Sequence, residues 1–177
     1  MIAVRLILVD ESKRKDYILC AVEIDMGIAP AARVAVNRLR LKGQRSIHFV
    51  SESDSRRKSI LAAFAKIEFR VVMFVVKGQS DPVSRGACLN ALIENLDASR
   101  YYSLVLDVDE TILKSDRQVL NNAILRNGMR ETIQYRHSEP HSEPLLSVPD
   151  ALAWTFTKRG AWSNNLSVFN IEIRNLD

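Results

Sequence analysis

Cysteine is scarce: Cys20 and Cys88 are the only two in 177 residues. They are too few and too far apart for a zinc cluster or a disulfide framework. Both sit in apolar stretches, which predicts buried thiols in a reducing compartment. No apolar run reaches the roughly 18 residues needed to cross a bilayer. The opening contains Arg5 and ends in acids, unlike a signal peptide. The chain has no linker, no long-period repeat and one short echo, His-Ser-Glu-Pro at 137–140 and again at 141–144. These absences lead to the expectation of a soluble cytoplasmic protein with no membrane partner.

What is present fits a folded domain. Hydrophobic residues make up 47% and charged residues 26%, a balance that argues against disorder. A net charge of +4 permits contact with phosphate backbones without demanding it. The chain opens on Ile2–Ser12, an apolar run that stops abruptly at Asp10 and Glu11. Its odd and even positions are both mostly apolar, so it reads as a strand covered on both faces. A second strand is expected over 17–25, close enough for an antiparallel hairpin. Helices are expected over 29–41, 55–67, 81–96, about 115–128 and 148–158. Further strands are expected over 46–50, 69–77, 101–107 and 131–137. The continuous Val71–Val76 run places its strand centrally in the sheet. The alternation predicts an α/β domain over 1–160, a mixed sheet opened by an antiparallel hairpin and flanked by helices, with a tail over 161–177.

Three carboxylates share a pattern. Asp10 ends the first strand, Asp107 ends the 101–107 strand and Asp150 begins the last helix. Were the two strands parallel neighbours, their ends would lie about 5 Å apart. Three acids meeting there would repel one another unless a divalent cation lay between them, and oxygen-only ligation favours Mg²⁺ or Mn²⁺. Such a site activates water in phosphodiester cleavage. The bland alternative is that Asp10 belongs to a polar turn and Asp150 merely caps its helix. Arg56, Arg57 and Lys58 open a helix against its dipole, so they are candidates for a nucleic-acid backbone as well as for a solvated face.

The pieces Leu8–Ser12, Ile47-His48-Phe49, Asp116-Arg117, Tyr135-Arg136-His137 and Glu143–Trp154 resemble the domain of unknown function 3800 family. That resemblance implies a ribonuclease H-like fold, with metal-binding carboxylates at Asp10 and Asp150 and Asp107 offered by the 101–107 strand. It also makes His48 a candidate to orient a phosphate or relay a proton, against a strand histidine bonded within the core. Members often carry an acid just before that histidine, where this chain has Ser46, and Glu52 is an uncertain substitute. The run Asp107–Glu110 leaves open which carboxylate faces the site. Leu106–Thr111 also matches the first motif of haloacid dehalogenase-like phosphatases, in which Asp107 would attack phosphorus and Asp109 act as acid/base. Against this, no downstream Asp pair is found, and only about 65 residues follow. The leading expectation is a metal-dependent protein acting on DNA or RNA, with nuclease activity as the reaction to test. The alternatives are a degraded ribonuclease H-like binding or assembly module, and the phosphatase.

Overall fold

The structure is a computed structural model that describes residues 3–177. Ile2, expected in the first strand, lies outside the described residues. A six-stranded sheet forms from β1 (Val4–Lys13), β2 (Tyr17–Asp25), β3 (Arg70–Val76), β4 (Tyr101–Asp107), β5 (Ile133–Ser138) and β6 (Ile171–Asn175), in the order β5-β4-β1-β2-β3-β6. The hairpin β1–β2 and the pair β2–β3 are antiparallel, while β1–β4, β4–β5 and β3–β6 are parallel. Strand alternation divides the core in two. Leu6 and Leu8 of β1 face α1 (Ala29–Asn37), α2 (Asp54–Phe64) and α5 (Ser147–Lys158), whereas Ile7 and Val9 face α3 (Asp81–Glu94) and α4 (Leu113–Arg126). Each fully buried Leu, Ile or Phe contributes about 1.5–3 kcal/mol of burial free energy, so both faces anchor the strand firmly.

Local chemistry explains the helix ends. Pro30 and Pro82 occupy the first turns of α1 and α3, where a missing N–H costs nothing. Ser53 caps α2 by accepting the Arg56 N–H. Gly128, at φ +67°, supplies the left-handed turn after α4.

Three expectations need correction. Residues 46–50 do not form a strand: a loop leads into a 3-10 turn over Phe49–Ser51. Its backbone groups are engaged elsewhere, since the Phe49 N–H donates to Asp150 at 3.0 Å and Arg57 takes the carbonyls of Phe49 and Val50. The 69–77 run is not at the sheet centre, because β3 lies between β2 and β6. Its unbroken apolar pattern reports cover on both faces, which is independent of lateral position. The segment 161–177, expected as a tail of moderate order, contributes a strand to the sheet. A 3-10 helix over Gly160–Leu166 leads to β6, and Trp162, Leu166, Phe169 and Ile171 pack on the core of the α5 face. Phe169 stacks on Phe69 with ring centroids 5.7 Å apart.

Candidate functional site

The site is built at the rim where β1 and β4 run side by side. Their parallel register ends at Val9 beside Leu106, and the next residues are Asp10 and Asp107. Val105 belongs to the core under α5, and side chains alternate along a strand, so Asp10 and Asp107 both project toward α5. Asp150 lies in the first turn of α5, the helix packed on that same face. Sequence reasoning expected these three acids to share one metal site if the two strands were parallel neighbours; the strands are so paired, and the acids lie toward the same rim.

Their electrostatics reflect the crowding. Burial, then Asp150, Glu11 and Asp107, raise the Asp10 carboxyl well above its ordinary range. Burial and Glu11 lead the causes that push Asp107 up to about 6, with Asp150 adding to them. Asp150 is raised as well, chiefly by burial, while the Phe49 N–H and His48 pull it back. Among the described residues, none of the three takes part in an ion pair. Asp10 accepts only the N–H of Glu11, at 2.8 Å, among its side-chain hydrogen bonds. Half-buried carboxylates of which two are raised by the third, with no ion pair among the described residues, are the type of oxygen donor a hard divalent cation takes. No group of three or more His, Cys, Asp or Glu side chains among the described residues is drawn close enough to enclose a metal. The donor type, carboxylate oxygen, is the one Mg²⁺ or Mn²⁺ takes, but the side chains as placed do not form a metal site among the described residues.

His48 stands on the loop before the 3-10 turn and is exposed rather than bonded within the core. Its Nε2 lies 3.1 Å from Ser46 Oγ. It lines a cavity of about 390 Å³ with Arg45, Ser46, Asp107, Glu139 and His141. A larger cavity, about 470 Å³, sits beside β6 and away from the acids. The 390 Å³ cavity is the relevant one, since it opens onto Asp107. Glu52 does not replace the acid missing at Ser46. It is buried and bound to Arg56 at 3.1 Å and to Gln44 at 2.8 Å.

The cationic trio is not a free phosphate patch. Arg56 is tied to Glu52 and to the Leu39 carbonyl. Arg57 is tied to Asp54 and two backbone carbonyls, and its guanidinium lies 4.3 Å from the Trp154 ring centroid. Lys58 alone of the three is exposed and without an ion pair among the described residues. The acids of the phosphatase pattern have local partners. Asp109 folds back on its own loop, accepting both the N–H and the hydroxyl of Thr111 at 3.0 and 2.6 Å. It is thereby held in a local turn.

One cluster escaped sequence reasoning. On the opposite face, Asp116 is buried and receives a two-point bond from Arg85 at 2.6 and 2.8 Å. Its Oδ2 lies 2.9 Å from His137 Nε2. Arg85 also reaches Glu11 at 2.7 Å and the Tyr17 hydroxyl at 3.2 Å. The Arg85 and His137 bonds hold Asp116 below the usual carboxylate range against its burial. The only signal in the sequence was that Asp116 and His137 fall within the segments of family resemblance.

A mixed sheet of this order, flanked by helices on both faces, is a ribonuclease H-like α/β fold. Among solved structures, the chain is similar to one in the PCNA:RNase HII complex from Archaeoglobus fulgidus, with a TM-score of 0.56 and 12% identity over 89% of this chain and 74% of that one. At that identity the likeness establishes the fold alone. No family model matches the chain, and no curated protein does.

Proposed function

We propose that this protein is a metal-dependent nucleic-acid-processing enzyme of the domain of unknown function 3800 family, cleaving phosphodiesters at the rim of β1 and β4. One observation carries the reading: Asp10, Asp107 and Asp150 lie toward one face of that rim, Asp150 raises the proton affinity of the two strand acids, and none of the three joins an ion pair among the described residues. The fold similarity to a chain of an RNase HII complex supports it. Asp10, Asp107 and Asp150 would hold Mg²⁺ or Mn²⁺, which supplies a more acidic water and a counter-charge for the phosphate. The Glu11 N–H fixes one oxygen of Asp10, and the Phe49 N–H fixes one of Asp150, so two of the three carboxylates are oriented by backbone. His48, exposed beside Asp107, is placed to orient a phosphate oxygen from the cavity side, and Lys58 is free for a more distant phosphate.

Incubation with single- and double-stranded DNA and RNA tests this directly. Cleavage is expected with Mg²⁺ or Mn²⁺, abolished by chelator and by Asp10→Asn. No cleavage of any of these substrates removes the enzymatic reading. A second reading has its own support: Ser46 stands where relatives often carry an acid, and no closed metal cage is present among the described residues. On that reading the protein is a non-catalytic nucleic-acid-binding module, and its affinity is unchanged by chelator or by Asp10→Asn.

A further inference from the structure

The sheet ends on β6, and the backbone of that strand has a definite parity. The Asn170 carbonyl accepts the Val71 N–H at 3.3 Å, and the Leu176 N–H donates to the Val75 carbonyl at 2.9 Å. In a parallel ladder alternate residues bond to the neighbour. Even-numbered residues of β6 therefore face β3, while Ile171, Ile173 and Asn175 direct N–H and C=O away from the sheet. Among the described residues, β6 pairs only with β3. The strand is short and carries Glu172 and Arg174, but it has no proline and no lysine, and Ile173 is 51% exposed.

We propose that a second copy of this chain pairs antiparallel with β6 about a twofold axis at Ile173, joining the two sheets into one. The register follows from the parity. Ile173 meets Ile173 of the other copy, and Ile171 meets Asn175, so every outward backbone group finds a partner. The side chains are self-complementary in the same register. Glu172 of each copy lies opposite Arg174 of the other, in the closer, non-hydrogen-bonded kind of pair. Glu172 and Arg174 already attract within one chain, at 2.6 Å, and Arg70 adds a contact to Glu172 at 2.7 Å, so pairing extends an existing alternation of charge. On the other face, Ile173 borders the 470 Å³ cavity lined by Phe156, Leu166, Phe169 and Ile171, which the partner's Ile173 would help to cover. The proposal is independent of the acids at the far rim.

Sedimentation velocity and light scattering test it. The expected mass is twice the 20.0 kDa of the chain. The Ile173 N–H points away from β3, so Ile173→Pro should leave the inner ladder and the circular dichroism intact while giving a monomer. Glu172→Arg, which sets like charges opposite one another, should weaken the dimer at least tenfold, and Glu172→Arg combined with Arg174→Glu should restore it. A wild-type monomer at high micromolar concentration overturns the proposal. So does a dimer that survives Ile173→Pro, or one that Glu172→Arg leaves unchanged.

Discussion

Asp10 and Glu11 are consecutive residues with opposite circumstances. Glu11 is bound by Arg85 and Lys13, at 2.7 and 3.2 Å, on one face of the sheet. Asp10, on the other, meets two further acids and no cation. Replacing a repelled carboxylate with its neutral isostere should therefore stabilise the metal-free protein. Asp10→Asn keeps an oxygen for the Glu11 N–H, and its melting temperature in chelator is expected to rise on the order of 2–4 °C, the response of a chain this long to about 1 kcal/mol. The same variant should lose any stabilisation by added Mn²⁺. The pH dependence has a defined sign. Asp107 is pushed up to about 6 from an ordinary 3.8, so between those values the folded state retains a proton that the unfolded chain has lost. Stability from this group is greatest at the acid end and falls as pH rises through the window. The gain in melting temperature from Asp107→Asn should accordingly be small near pH 4 and largest above about pH 6. Asp116 has the opposite sign, being held below 3.8, and its contribution is lost only beneath that window. The three rim acids were legible in the sequence because each marks the end or start of an element. Arg85 and Asp116 were not, because a buried pair 31 residues apart leaves no local pattern.

At the scale of elements, α2 shows how a charge run misleads. Arg56-Arg57-Lys58 reads as a cationic face, yet two of its members join α2 to its surroundings: Arg56 to the end of the α1 segment, Arg57 to the 3-10 turn and to α5 through Trp154. Trp154 is further enclosed by Phe49 and Trp162, at centroid distances of 5.3 and 5.2 Å. Arg57→Ala is expected to cost about 1–3 kcal/mol in chemical denaturation, through the lost carbonyl bonds and the cation–π contact. Lys58→Ala should leave stability within about 0.5 kcal/mol and, on the proposed function, lower the salt dependence of nucleic-acid binding. The 46–50 segment misleads for a related reason. Ile47 and Phe49 alternate as in a strand, but Asp150, distant in sequence, and Arg57 of the following helix claim the backbone groups a ladder would need.

At the scale of the whole molecule, the hairpin, the two-sided core and, apart from the 46–50 segment, the order of elements up to the last helix followed from the sequence pattern. The closing strand did not. Ile171–Asn175 is short and half exposed, and its place is fixed by the vacant edge of β3 and by Phe169 on Phe69, neither of which is local information. Truncation after Gly160 should uncover that edge and the Phe69 ring. The shortened chain is expected to melt well below the full one and to aggregate at concentrations where the full chain does not, as measured by thermal scanning and turbidity.

The helix start at Asp150 belongs to a different layer from the two acids it faces, and this has a mechanical consequence. Asp150 raises the proton affinity of both strand acids across this layer boundary, and the hydrogen bond from Phe49 holds the start of α5 in place. A cation seated there would act as a rivet between layers. Loading should then slow amide exchange in the first turn of α5 and at Phe49 while leaving α3 and α4 untouched, so occupancy can be read from the backbone without any turnover of substrate.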